Sequence, residues 1–174
     1  VLEVTEDSCL IWRHWGWRPA QCKNDFQAMD YDDISHGIQA FIFPMTILNK
    51  FKLNDRFYFS DNDMIYLHNT FTKRIFAGYT DNGPTFNPTL DGDTIVKFEP
   101  KLSGFNNLRI RCIAYSFLIP WDGKIGTSQN LKVETIINDF LHSDGFQSSK
   151  NSISGMDLFG LATYIHEITK LHKQ

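Results

Sequence analysis

Apolar and polar positions alternate in short bursts over most of this chain and settle into a helical period only towards its end. Residues 2–17 read as one or two strands. Residues 23–33 are polar and acidic, with Asp30-Tyr31-Asp32-Asp33, and read as a surface loop or short helix. Residues 36–43 follow as a strand entered at Gly37. Pro44 then opens a helical turn over 45–51, since proline is comfortable at a first helical position. The runs Arg56-Phe57-Tyr58-Phe59, Met64-Ile65-Tyr66-Leu67 and Arg74-Ile75-Phe76-Ala77-Gly78-Tyr79 are separated by polar turns at 60–63 and 68–73, the spacing of an antiparallel meander. Residues 80–93, with Pro84 and Pro88, form the longest irregular stretch. Residues 94–99 read as a strand that Pro100 ends. Residues 108–115 alternate in their first half, with Arg109 and Arg111 on one face, and the run continues to Trp121.

Helical periodicity appears in two late segments. Over 130–142, Val133, Ile136, Ile137, Phe140 and Leu141 share one stripe, with Thr127 and Ser128 as candidate N-caps. Residues 145–152 read as a polar linker. Ser154 and Asp157 resemble a capping box, with Asp where Glu or Gln is preferred. Leu158, Leu161, Ile165, Ile168 and Leu171 form a second stripe. Both stripes are expected to pack on the sheet, with a partner-binding helix as the alternative. The pattern predicts an α+β fold: a curved antiparallel sheet or partly closed β-barrel with two C-terminal amphipathic helices. One domain is expected over 1–174, mainly β over 1–126 and helical over 127–174.

Composition changes this picture little. A chain of 174 residues suits one domain and can bury well over half of its unfolded surface. Apolar content of 42% and charged content of 21% exclude wholesale disorder, and 15 phenylalanines predict an aromatic-rich core. A net charge of −3 argues against gripping long duplex DNA by counter-ion release alone. No stretch approaches a transmembrane span, so no membrane partner is expected. No signal peptide is visible, and Val1 in place of an initiator Met points to a fragment or a processed form. The three cysteines, Cys9, Cys22 and Cys112, do not make a disulfide framework. A Cys9–Cys22 bridge would close a loop in an oxidising compartment; otherwise these residues serve as small hydrophobes. Asn-x-Ser/Thr with a permitted middle residue does not occur, and a cytoplasmic setting is expected.

Chemistry-bearing side chains are densest at Trp12-Arg13-His14-Trp15-Gly16-Trp17-Arg18. Indole faces stack on flat or cationic ligands, and guanidinium stacks on indole or forks onto phosphate. The plainer reading is a strand whose alternate side chains enter the core. Period 2 puts Trp15 and Trp17 on one face and Trp12 on the other, so two indoles would be buried and one exposed. Trp12, Arg13, Trp15, Trp17 and Arg18 are the candidate ligand-binding residues, with Tyr79 and Trp121 as further aromatic candidates.

A second constellation is Asp81 or Asp91 with Glu99-Pro100-Lys101. A PD-(D/E)xK nuclease places an acid at a strand end and an acid-x-Lys triplet on the next strand, to hold Mg²⁺ and poise a water. Pro100 inside the triplet breaks the strand that must aim both side chains. The six histidines are scattered; His166 and His172 lie six apart, off any shared helical face. Asp61-Asn62-Asp63 and Asp91-Gly92-Asp93 lack the other ligands of a calcium loop and read as turns. No metal or cofactor site is expected.

Residues 44–59, with Leu53-Asn54-Asp55-Arg56-Phe57-Tyr58-Phe59, then Arg74 to Tyr79 and Thr94-Ile95-Val96-Lys97-Phe98-Glu99, resemble the PUA-like superfamily, which includes EVE, YTH and development-and-cell-death domains. There a short helix leads to a Lys-x-Gly-Asp turn, a strand, a polar hairpin and a strand ending in aromatic-x-Gly. Asn54 stands where the family usually has Gly, and the inserted hairpin at 61–69 is longer. The resemblance covers about a third of the chain and implies a small β-barrel flanked by helices, sometimes with an aromatic cage for a modified base. The expected function is a non-catalytic recognition module that binds a nucleotide base or nucleic acid, with a modified or flipped base as the expected ligand, through the aromatic and Arg cluster. The alternatives are the Mg²⁺-dependent nuclease and a protein-interaction or immunity-type domain with a protein partner.

Overall fold

The computed structural model describes residues 2–12, 42, 59–87, 90, 110–149 and 153–173. Strands β1 (Leu2–Val4) and β2 (Leu10–Trp12) form an antiparallel hairpin with Leu2 opposite Trp12 and Val4 opposite Leu10. The Thr5 N–H donates to Cys9 O at 2.9 Å across the turn, and Ser8 takes a left-handed conformation at φ +60° to close it.

Helix α1 (Asp61–Thr70) starts at a capping box. Asp63 Oδ2 accepts the Ser60 N–H at 2.8 Å, and Ser60 Oγ accepts the Asp63 N–H at 3.2 Å, satisfying two otherwise orphaned donors. Its buried stripe is Met64, Leu67, Phe71 and Ile75, at spacings of three and four. The last two lie in a π-helical continuation, Phe71–Ile75. Polar groups on the same helix tie it to its neighbours. Thr70 Oγ1 lies 2.6 Å from Leu10 O of β2, and Asn69 Nδ2 donates to Ser8 O and Gly126 O, each at 3.0 Å.

Strands β3 (Phe76–Thr80) and β4 (Gly83–Phe86) make a second antiparallel hairpin. Gly83 has φ +101°, and a Cβ there would sit 2.4 Å from Ser143 Cβ, so the hairpin closes tightly onto a later helix end. A 3₁₀ helix, Cys112–Trp121, runs through the core with Cys112 to Ile119 all buried. Then come α2 (Val133–Leu141), α3 (Asp144–Ser149) and α4 (Gly155–Leu171). Aromatic rings connect these elements in series: Tyr115 to Phe71 at 5.1 Å, Phe71 to Phe86 at 6.1 Å, Phe86 to Phe140 at 5.4 Å and Phe140 to Phe146 at 5.8 Å between centroids. These are the tilted and edge-on contacts that aromatic quadrupoles favour.

The expected curved sheet or partly closed barrel is not formed. Among the described residues there are two separate two-stranded antiparallel sheets, neither closed, and helix predominates. Residues 60–63 are a helix start rather than a turn, and Met64 to Leu67 are helical rather than extended. Of the run expected to be extended at 108–115, Ile110 and Arg111 are helical and Cys112 to Tyr115 lie in the 3₁₀ helix, while 108 and 109 lie outside the described residues. The physical reason is that a segment buried on all sides carries apolar residues at every position, so neither period is legible in it. The expected linker at 145–152 contains α3. The strands expected at 36–43, 56–59 and 94–99, and the helical turn at 45–51, lie outside the described residues, apart from the buried Ile42 and the half-buried Phe59, which is not in a strand.

Candidate protein-docking face

The last helix is built from its cap downwards. Asp157 Oδ2 accepts both the N–H and the hydroxyl of Ser154 at 2.6 Å, so the expected capping box is present with Asp as its acid. Helix α4 then lies along the 3₁₀ helix. Gly160 permits this approach: a Cβ there would meet Ala114 N at 3.0 Å and Ile113 C at 3.2 Å, both backbone atoms. The face turned inward therefore carries Asp157, Gly160, Thr163 and Glu167, all buried.

The second apolar stripe is divided between the core and solvent. Leu158 is 57% exposed and Ile165 62%, while Leu161 and Ile168 are half-buried along the border and Leu171 is exposed at the end. The expectation that this stripe packs on the core holds for Leu161 and Ile168 and is corrected for Leu158, Ile165 and Leu171: at Gly160 the two backbones approach too closely for a larger side chain. Around Ile165 a shallow, open groove runs along the surface of α4, formed by Ala162, His166, Thr169, Lys170 and Lys173.

A second cluster joins three elements. His68 Nε2 lies 2.6 Å from Asp122 Oδ1, Asp122 Oδ1 accepts the Val133 N–H at 2.8 Å, and Asp122 Oδ2 accepts the Glu134 N–H at 2.9 Å. The Asp122 carboxylate thus caps α2, in place of the expected Thr127 or Ser128, and holds His68 of α1. A histidine–aspartate pair could orient a general base, but His68 is fully buried and cannot meet a substrate in this arrangement. Its geometry is that of a structural node.

Near the first hairpin, Arg74 Nη2 donates to Asp7 Oδ1 at 2.9 Å. Burial opposes the charge on Asp7, but hydrogen bonds from Thr5, Arg74 and Cys9 outweigh it and hold the carboxyl well below the usual carboxylate range. Burial, with Asp7 alongside, pushes the Cys9 thiol up. Cys9 and Cys112 are buried and form no disulfide; Cys22 lies outside the described residues.

The sequence-derived ligand residues are not brought together among the described residues. Trp12 is only 2% exposed and belongs to the core, although period 2 made it the outward indole. Arg13, Trp15, Trp17 and Arg18 lie outside the described residues. Tyr79 is exposed on β3; its hydroxyl donates to Asp139 Oδ2 of α2 at 2.8 Å, and its ring meets Phe76 edge-on at 5.3 Å. Burial and the Asp139 charge push its phenol up to about 12. Trp121 is half-buried at the end of the 3₁₀ helix, with Lys124 Nζ 5.9 Å from its ring centroid. Asp81 sits in the exposed β3–β4 turn, while Asp91, Glu99 and Lys101 lie outside the described residues. Among the described residues no group of three metal-ligating side chains converges, and no helix is long and apolar enough to cross a membrane.

Sequence reasoning missed the outward turn of α4. The signal for it was the line Asp157, Gly160, Thr163 and Glu167, which marks one side of the helix as small and hydrogen-bonding. No family model, curated protein or solved structure matches this chain.

Proposed function

We propose that this chain is a non-catalytic protein-interaction module that docks a partner on the outer face of α4. One observation carries the reading: α4 buries Asp157, Thr163 and Glu167 while Leu158 and Ile165 face solvent. A helix ordinarily turns its apolar stripe to its own core. Large aliphatic side chains grouped beside a groove with a polar rim are the usual make-up of a docking surface. A cytoplasmic setting fits the buried, unbridged Cys9 and Cys112. The nucleic-acid reading loses Trp12 as a stacking platform.

The test is a photo-crosslinking residue placed at position 165 in cells that make this protein. A discrete adduct is expected there and none from the same probe at the exposed position 135 of α2. Equal, diffuse labelling from both positions would overturn the reading.

A further inference from the structure

On the reading that the outer face of α4 is a docking surface, we propose that its occupant is an acidic amphipathic helix of another protein. It lies antiparallel to α4, with apolar side chains in the groove at Ala162 and Thr169 and its N-terminal carboxylates against Lys170 and Lys173.

Shape points to a helix. Leu158 and Ile165 are seven residues apart, two turns along one side of α4, or about 10 Å. The short side chains of Ala162 and Thr169 lie beside them and leave a shallow gap on the surface of α4 that a partner's side chain would enter. That is a hole for a knob, the pattern by which two helices interlock.

Charge names the chemistry. Both carboxylates of α4, Asp157 and Glu167, are buried on the inward side. The rim of the groove carries His166, Lys170 and Lys173, all exposed, and neither lysine ammonium is held in an ion pair among the described residues. This local positive edge occurs in a chain whose net charge is −3. A partner helix prefers its acidic residues in its own first turn, and antiparallel placement sets that turn beside the C-terminal end of α4.

Two other occupants fit less well. In a twofold dimer pairing α4 with α4, Lys170 and Lys173 would meet the positive N-terminal end of the other α4, whose one nearby carboxylate, Asp157, is buried. A lipid surface calls for bulky, protruding apolar groups. Here the centre of the face is Ala162 and Thr169, and the aromatics of α4, Phe159 and Tyr164, are half-buried.

The experiment pans a displayed library of helical peptides on the full chain. Leucines are fixed at i, i+3, i+4 and i+7, and the other positions vary among Asp, Glu, Lys, Arg and Ser. The expected winners carry Asp and Glu in their N-terminal half and bind more weakly as salt rises. The Lys170→Glu/Lys173→Glu variant should bind them roughly tenfold more weakly and should itself select basic peptides. Ile165→Asp, which keeps a solvent-facing position solvent-facing, should abolish binding. Winners without an acidic bias, or no winners, overturn the acidic partner. If such winners still need Ile165, the docking face itself survives; if Ile165→Asp has no effect on binding, both fall. Co-sedimentation with vesicles of phosphatidylcholine and phosphatidylserine, or a dimer in sedimentation that Ile165→Asp abolishes, would assign the face to lipid or to a second copy and overturn the proposal.

Discussion

Helices α2 and α4 both carry apolar stripes in the sequence, the one on α2 the more sharply one-sided, yet the fold buries the first and leaves much of the second at the surface. Helix α2 buries Val133, Ile136, Ile137 and Phe140, each worth about 2 kcal/mol of apolar burial. Its cap is borrowed from Asp122, so its start is pinned to the end of the 3₁₀ helix. Helix α4 brings its own cap and approaches the 3₁₀ helix through Gly160, with the stripe turned to the border and to solvent. Periodicity therefore shows that a helix has an apolar face. Which face meets the core depends on how closely the two backbones approach.

The sharpest contrast is between one aspartate on each helix. Ile136→Asp buries an unpaired charge and should cost about 4 kcal/mol or more, enough to unfold the chain in a thermal melt. Ile165→Asp should shift stability by no more than about 0.5 kcal/mol. Similar losses in the two variants would erase the difference between the helices.

Next in size is the node that fixes α2. Asp122→Ala leaves His68 Nε2 and the N–H groups of Val133 and Glu134 without their acceptor. A loss of about 3 kcal/mol is expected from denaturant midpoints, with Asp122→Asn retaining part of it. Stability unchanged in Asp122→Ala would mean that water or another side chain caps α2.

Smaller again is Gly160→Ala. Alanine gains up to about 1 kcal/mol of helix propensity, but its Cβ meets backbone of Ala114 and Ile113 that cannot swing aside. A net loss of about 1 kcal/mol is expected in the same unfolding assay. A gain would show that α4 has room to move off the 3₁₀ helix.

The smallest effect belongs to the outer side of α2, where Asp139 accepts from Tyr79. The phenol is raised from its ordinary value of 10.0 to about 12 in the folded state. Folding thus favours the protonated phenol. Its contribution is fully present below pH 10 and is lost as pH rises through about 12. Following phenolate absorbance against pH should show one late-titrating tyrosine that disappears in Tyr79→Phe. Because Tyr79 is 53% exposed, solvent screens the pair and the change in stability should be slight.

Parts of this fold were legible in the sequence. The stripe of α2 and the Ser154–Asp157 cap stood out because local chemistry and local structure agree there. The hairpins were partly legible: Leu2–Val4 with Leu10–Trp12, and all of Phe76–Thr80 but Thr80, fall within runs read as extended, whereas Gly83–Phe86 was read as irregular. Helix α1 was misread although Ser60 and Asp63 spell a capping box and Met64, Leu67, Phe71 and Ile75 keep a helical spacing. The interleaved Ile65 and Tyr66 made Met64 to Leu67 look like a short β run. The 3₁₀ helix was not legible, since Cys112 to Ile119 are buried on every side and carry no period. The outward side of α4 was hidden for a related reason. Leu158 and Ile165 look like core residues in sequence, and only the close backbone contact at Gly160 sends them outward.

Thiol labelling of two cysteine variants on α4 tests that central claim most directly. Ile165→Cys and Thr163→Cys sit two positions apart on one helix, and the parent chain supplies the background from Cys9, Cys22 and Cys112. Under native conditions the account predicts that a cysteine at position 165 reacts at the rate of an exposed thiol and that one at 163 stays protected until the chain unfolds. Protection at 165 together with rapid reaction at 163 would contradict it.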